Sequence, residues 1–316
     1  MKILITGAAG FIGEFVLQEA LRRGHNVIAL VRSSTPMQWI GIPNLETVRQ
    51  DLSDKQSLDL NNRGVDVVVH LAAATKGSEA EQFHDTVTGT ECLLTAARRA
   101  GIRRIVGVSS MAVLDYQSVR PMSIIDERVA VSPGNARKGI YAAAKLRQEH
   151  LLAEFGREEH NSCTILRPGL VYDESRLIAA HAGVVNGPIC LLASHGGEVP
   201  TIEVHSLARA VINAAERRLL GCEVLHLVDD RLPDQPAYLD GLRRRGAIQR
   251  GGIVLPWRIL QVLSALIRTV LTATGLGGRV PEILLPDAFS ARLKPFRFSN
   301  AKAKELLGWT PGCEFA

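Results

Sequence analysis

The sequence predicts a doubly wound α/β fold: a parallel sheet with helices on both faces, followed by a smaller C-terminal α/β lobe. Three observations predict it. Apolar runs alternate with helically periodic stretches through the first half of the chain. One of those runs, Val65 to Ala73, is almost wholly apolar, as a strand buried on both faces should be. A glycine-rich turn joins the first run to the first periodic stretch. The length of 316 residues suits one such domain with an appended lobe and is short for three domains.

The elements follow in order. Lys2 to Thr6 is a short strand closed by glycine, and Phe11 to Arg23 is a helix that stops at Gly24. His25 to Arg32 is a second strand, Leu45 to Asp51 a weaker third, and Val65 to Ala73 a fourth. Glu79 to Ala100 is a helix ending at Gly101, and Arg104 to Ser110 is a strand. Gly139 to Phe155 is a helix and Ser162 to Arg167 a strand. Right-handed crossovers then wind this repeat into one sheet. After about Gly169 the rhythm loosens. Short strands at Thr201 to Val204 and Glu223 to Val228 flank a helix from Ser206 to Arg218, and prolines and glycines punctuate the rest. Ile253 to Thr274 is strongly apolar and reads as one helix with a narrow stripe of Arg258, Gln261, Ser264, Arg268 and Thr272. Two arginines in the stripe exclude a transmembrane span. The expectation is burial inside the protein or between two copies. Contact with a membrane surface is the less favoured alternative.

Composition narrows the function. Apolar residues make up 46% and charged residues 22%, which describes a core-forming chain. Aromatics are 5% and do not interleave with the basic residues, so no nucleic-acid partner is expected. The net charge of +5 owes much to late residues: Arg243, Arg244, Arg245, Arg250, Arg258, Arg268, Arg279, Arg292 and Lys294. They form either a solvated face or an attraction for phosphate or an anionic surface. Cys92, Cys163, Cys190, Cys222 and Cys313 are scattered, and His25, His84, His150, His160 and His181 lack ligand spacing, so no metal and no disulfide framework are expected. The N-terminus runs straight into a strand with no signal-peptide pattern, which predicts a cytoplasmic location. Met37 and Trp39 read as loop packing.

Chemistry enters at the first turn, Thr6-Gly7-Ala8-Ala9-Gly10-Phe11-Ile12-Gly13. Gly7 permits the tight turn, Gly10 lets the backbone approach a pyrophosphate, and Gly13 lets the helix pack on the strand. The helix N-terminus offers free N–H groups and a positive dipole end to the phosphates. After the second strand no acid is present. Arg32 with Ser33 and Ser34 would clamp a 2′-phosphate, which favours NADP over NAD. Tyr141 and Lys145, at i and i+4 on one helix face, suit proton transfer at a substrate hydroxyl. Ser109 and Ser110 close a strand, where such sheets place their sites, and supply a hydroxyl for the substrate oxygen.

With these motifs the sequence resembles the extended short-chain dehydrogenase/reductase family, also called the NAD-dependent epimerase/dehydratase family, over nearly its whole length. Thr6 to Gly13 resembles the family's glycine motif, with Ala9, Phe11 and Ile12 along the cofactor. Asp51 and Leu52 match its adenine contact, and His70-Leu71-Ala72-Ala73 its fourth-strand motif. Thr88-Gly89-Thr90 matches a conserved helix pattern. Ser110, Tyr141 and Lys145 fall on the catalytic positions. Arg167 and Pro168 resemble the motif where nicotinamide meets substrate, and Met111, Tyr172 and His205 become substrate contacts. Phe298-Ser299-Asn300 and Leu306 to Pro311 resemble the closing motifs. The resemblance implies a Rossmann cofactor-binding domain over residues 1–169, to which some later segments return, and a substrate lobe mainly over 170–316. It also implies a homodimer through the helices at 79–100 and 139–155, with Cys92 near the contact.

The departures are specific. Thr86 stands where the family often has asparagine, and Val113-Leu114-Asp115 replaces its usual Val-Tyr-Gly. Ser110-Met111-Ala112 replaces the Thr-Asp-Glu of sugar dehydratases, so acid–base elimination of water is disfavoured. The stretch His195 to His205 lacks the arginine that grips a sugar-nucleotide diphosphate, a part that Arg209 or the later arginines would have to fill. Three readings follow. One is an oxidoreductase using NADP(H) on a small molecule, with a nucleotide sugar or keto-sugar as the favoured substrate and a hydrophobic alcohol of the hydroxysteroid type as the alternative. Another is a nucleotide-sugar epimerase holding NAD tightly. The third is a non-catalytic NADP-binding protein, which the presence of both Tyr141 and Lys145 disfavours. His70 reads as a core or cofactor-side residue, and His195 as a further candidate facing substrate.

Overall fold

The computed structural model describes the chain except residues 55–57, 75–76, 133–138, 178, 187–188, 249–252, 276–279, 313–314 and 316, and side chains at 180, 184–186, 189–190 and 282. Arg250, Arg279, Cys313, Gly251, Gly252, Gly277, Gly278 and the Cys190 side chain therefore lie outside the described part. The strands are β1 (Lys2–Thr6), β2 (Asn26–Val31), β3 (Leu45–Arg49), β4 (Val67–His70), β5 (Arg104–Val108), β6 (Ile124–Ile125) and β7 (Ser162–Pro168). They continue with β8 (Leu170–Tyr172), β9 (Gly183–Asn186), β10 (Ile189–Ser194), β11 (Thr201–Glu203), β12 (Gly221–Leu227), β13 (Ile253–Pro256) and β14 (Arg297–Phe298). The helices are α1 (Phe11–Arg22), α2 (Glu79–Arg99), α3 (Ile140–Arg157), α4 (Val204–Glu216), α5 (Gln235–Arg244), α6 (Trp257–Ala273), α7 (Pro286–Leu293) and α8 (Ala301–Leu307).

Seven parallel strands form the main sheet in the order β12-β7-β5-β4-β1-β2-β3. The order reverses between β1 and β4, and doubly wound sheets place ligands at such a switch. Period-two alternation divides the core. Ile3 and Ile5 face the layer of α1, α4 and α8, while Leu4, Ile28 and Val68 face α2 and α3. Each such buried side chain contributes about 1.5–3 kcal/mol. Ser78 and Glu81 form a reciprocal cap that starts α2, and Gly101, with φ +68°, lets the chain turn away after it. The outward faces of α2 and α3 carry Glu91, Thr95, Arg98, Arg147 and His150, and Cys92 is half-buried.

From the later chain, β12 pairs with β7 and α4 packs on α1. Outside the main sheet lie three small ones, β13-β10-β9, β11-β8 and β14-β6, the last joining Ile124–Ile125 to the later chain. The sequence reading had no place for the β9–β10 pair, α5 or α7. The cap of α5, Asp234 with Pro236 in the first turn, was readable in retrospect.

Ile253 to Thr274 departs from the expectation of one buried helix. Its first four residues form β13, whose last residue, Pro256, is still extended at ψ 136° and occupies the cap position of the helix that begins at Trp257. Within α6 only Leu260 and Ser264 are buried. The lobe offers polar partners beneath the helix, Ser264 Oγ donating to the Leu284 carbonyl at 3.0 Å, so the polar stripe turns partly inward and the apolar side faces out. Among the described residues no helix is long and apolar enough to cross a membrane. Trp39 packs in the core, whereas Met37 is 85% exposed.

Candidate active site

The turn after β1 is built for close approach. Gly7 has φ +69°, and a Cβ there would stand 2.8 Å from the Ala72 amide nitrogen. A Cβ on Gly13 would lie 2.7 Å from Cα of Ala8. Gly10 N–H donates to the Gly7 carbonyl at 3.0 Å and caps α1 without any side chain. The first-turn N–H groups of α1 are thus left to an outside acceptor, and the dipole favours an anion there. Glycines that cannot be replaced, beside an uncapped helix start, fit a dinucleotide pyrophosphate.

Two cavities meet over this turn and share Gly7, Gly10 and Ala73. One, about 340 Å³, is lined by Ala9, Arg32, Asp51, Leu52 and Ala72. Arg32 is exposed and pairs with Asp85 at 3.2 Å. Asp51 accepts from Ser53 Oγ at 2.7 Å and from its N–H at 2.9 Å. Those bonds, and Arg32 nearby, hold its carboxyl below the usual range. The other cavity, about 450 Å³, is lined by Phe11, Ile12, Leu71, Ser110, Tyr141, Lys145 and Pro168.

The second cavity holds the proton-handling groups. Gly139, at φ +75°, turns the chain into α3, so Tyr141 and Lys145 fall on one face. Enclosure of its hydroxyl raises the Tyr141 phenol above its ordinary value, while a hydrogen bond with Ser110 opposes the rise. Lys145 is buried and donates to the Val108 carbonyl at 2.8 Å and to Gln148 Oε1 at 2.9 Å. Burial lowers its ammonium to about 8, with Glu149 pulling the other way.

A buried polar chain that the sequence reading missed supports this lysine. Because Lys145 donates to Gln148 Oε1, the amide nitrogen of Gln148 must be the donor on its other side. It reaches Thr90 Oγ1 at 3.0 Å and His70 Nε2 at 2.9 Å, so His70 Nε2 accepts. The His70 proton then sits on Nδ1 and goes to Thr6 Oγ1 at 2.7 Å. Burial, with Lys145 adding to it, pushes His70 down to about 3, and it stays neutral. Thr86, in the family's asparagine position, accepts from the Ala74 N–H at 3.0 Å. The readable signal was Gln148 three residues after Lys145 on the same helix.

Several expected site residues lie elsewhere. Arg167 does not line either cavity; it is buried against Glu149, where a cation needs a partner more than a ligand does. Ser109 lines the cavity wall, but its Oγ donates to Glu149 at 2.7 Å. Met111 is buried in an apolar cluster with Tyr116 and Phe296. Tyr172 is buried with its ring 5.1 Å from that of Phe315. His205 packs edge-on against Phe15 at 4.6 Å on the outer side of α4. His195 accepts from the Gly197 N–H at 3.1 Å, and burial lowers it to about 4. In its place the cavity mouth carries Arg176, whose guanidinium lies 4.6 Å over the Phe11 ring and which no motif flagged. Among the described residues no group of three His, Cys, Asp or Glu could hold a metal ion.

The profile of the NAD dependent epimerase/dehydratase family matches residues 3–214. The chain is 26% identical over 314 residues to a 4-hydroxy-2-methyl-3-oxo-4-farnesyl-3,4-dihydroquinoline-1-oxide ketoreductase of Stigmatella aurantiaca, covering 98% of this chain and 92% of that one. It is 30% identical over 246 residues to a UDP-glucose 4-epimerase of Streptomyces lividans, covering 69% and 72%. Among solved structures, MoeE5 in complex with UDP-glucuronic acid and NAD aligns with a TM-score of 0.69 at 22% identity, over 99% of this chain and 95% of that one. At that identity the likeness shows the fold.

Proposed function

The chain belongs to the NAD dependent epimerase/dehydratase family, and we propose that it moves a hydride between NADP(H) and a ketone or secondary alcohol. It is an NAD(P)-dependent oxidoreductase of that family. The observation that carries the finer reading is that Ser110, Tyr141 and Lys145 line one cavity continuous with the phosphate turn. The turn and α1 would hold the pyrophosphate, Arg32 the 2′-phosphate, Asp51 and Leu52 the adenosine side, and Lys145 the nicotinamide ribose. Bound there, the cofactor supplies or receives the hydride.

The protein's own part is the proton. In reduction the Tyr141 hydroxyl donates to the carbonyl oxygen as charge develops on it. Ser110, which hydrogen-bonds Tyr141 in the free protein, turns its single proton to the same oxygen and fixes its position. The Lys145 ammonium favours the phenolate left behind. In oxidation the phenolate takes the hydroxyl proton instead. Met111 is buried and Ala112 carries no proton, so neither serves as acid or base for eliminating water.

The walls of this cavity favour an apolar substrate, since Phe11, Leu71, Val108, Leu170 and Val171 surround the hydroxyls. The farnesylated substrate in the name of the Stigmatella relative supports the same class. A second reading, a nucleotide-sugar epimerase, is favoured by Arg176 at the mouth, which would meet a diphosphate. The test is NADPH oxidation against a panel of apolar ketones and, separately, UDP-sugar epimerisation, each with Tyr141→Phe beside the wild type. Ketone-dependent oxidation that falls at least ~10²-fold in Tyr141→Phe, with melting unchanged, is the expected result. Protein purified with stoichiometric NAD(H) and active only on UDP-sugars would replace this reading with the second. Failure to bind either nucleotide would sink both.

A further inference from the structure

We propose that α6 docks on the surface of an anionic lipid bilayer. Ile259, Val262, Leu263, Leu266, Ile267 and Val270 recur at i, i+3, i+4, i+7, i+8 and i+11, and every one is exposed. Val262, Leu266 and Val270 each show 58–59% of their surface. Ile253 and Val254 of the adjoining β13 extend the same character. Meanwhile the helix turns Leu260 and the polar Ser264 toward the lobe. Arg268, half-buried, lines a cavity of about 140 Å³ with Gln117 and Lys294. This is the reverse of a water-facing helix. A contiguous apolar stripe of this kind on a soluble surface marks a contact.

Charge chooses the occupant. From residue 241 to 281 the sequence contains seven arginines and not one Asp or Glu. Arg258 is exposed at the head of α6, beside the half-buried Trp257, with its guanidinium 5.8 Å from that ring. Arg244 and Arg245 are exposed at the end of α5, Arg244 pairing with Asp240 at 2.8 Å. An apolar helix face with an exposed arginine and a tryptophan at its head matches an interfacial helix, which lies in the headgroup plane with its apolar side among the acyl chains. A second copy on this face would set like charges against each other, whereas acidic headgroups neutralise them. With seventeen residues and two arginines, α6 lies on the bilayer and does not span it.

The test is co-sedimentation of the full chain with vesicles of pure phosphatidylcholine and of equimolar phosphatidylcholine and phosphatidylglycerol. The wild type is expected to sediment with the mixed vesicles, to stay in solution with pure phosphatidylcholine, and to be released by high salt. Val262→Glu/Leu266→Glu is expected to stay in solution throughout, with melting and NADPH binding unchanged. The vesicle comparison with the wild type decides the matter even if that variant folds poorly. No sedimentation with mixed vesicles, or equal sedimentation with both, overturns the proposal. So does a wild-type dimer that Val262→Ser/Leu266→Ser splits in sedimentation velocity, which would put a second copy on the face. Vesicle binding does not measure turnover, so this result stands apart from the hydride-transfer reading.

Discussion

The Arg167 guanidinium on β7 and the Glu149 carboxylate on α3 pair in the core, each with a side chain only 6% exposed. Ser109 Oγ donates to the same carboxylate at 2.7 Å, and Arg167 Nε at 3.1 Å. The pair ties the helix carrying Tyr141 to the strand that ends beside the cavity.

Breaking it strands a buried charge. Glu149→Ala is expected to destabilise the protein by about 3–5 kcal/mol. Calorimetry should show a melting temperature lower by several degrees. An unchanged transition would mean that Arg167 finds another partner or reaches water.

Lys145 sets a pH limit. Its ammonium is held down to about 8 by burial, so its charge is lost as pH rises through that value. If the charge supports Tyr141, kcat/KM for ketone reduction falls on the alkaline side of about pH 8. Gln148→Leu removes an acceptor that favours the ammonium, so the alkaline limb should move to lower pH by roughly one unit, with the acid-side rate largely kept. A uniform loss at all pH values would reduce Gln148 to a packing role.

If Arg32 meets the 2′-phosphate, as proposed, it sets the choice between cofactors. Arg32→Ala is expected to weaken NADPH binding by about 10–100-fold, the worth of a charge-assisted hydrogen bond, and to leave NADH binding nearly unchanged. Asp85→Asn should act in the opposite sense, because it frees Arg32 from a competing exposed pair. Fluorescence titration of both variants checks this. Equal losses for the two nucleotides would place Arg32 on the adenine or the shared phosphates.

Asp229 gives the fold a pH dependence of its own. Burial, joined by the Glu203 charge, raises its carboxyl from 3.8 to about 7, although Oδ1 accepts from the Glu203 N–H at 3.2 Å. The folded chain therefore keeps a proton that the unfolded chain has shed between about 3.8 and about 7. Stability from this group is full below about 3.8 and is lost as pH rises through about 7. Melting scans across that window should fall more steeply for the wild type than for Asp229→Asn. Parallel curves would remove Asp229 as the cause.

Periodicity and glycine spacing made the sheet, α1 to α3 and the phosphate turn legible, because those features are local along the chain. Tyr141 and Lys145 were legible for the same reason: four residues on a helix put them on one face. What was not legible depended on orientation or on distant partners. Arg167 follows a motif that resembles a cofactor contact, but its partner, Glu149, lies on another element and is invisible to spacing. Tyr172 and Met111 sit beside motif residues, yet strand and turn geometry points them into the core. In α6 the pattern shows that the helix has two faces. Only the lobe beneath it, through Leu284, decides which face turns to water.

The return of the chain to its first sheet has a consequence for dissection. A fragment cut at Gly169 would lack β12, leaving β7 with a bare row of backbone donors and acceptors. It would also lack α4 and so uncover Val16, Leu17 and Ala20 of α1, together with the sheet face behind them. Such a piece is expected to aggregate, not to bind nucleotide by itself. The main sheet and the layer on α1 are completed only by α4 and β12, so insertions and gene fusions are expected to be tolerated only where they leave both crossings intact.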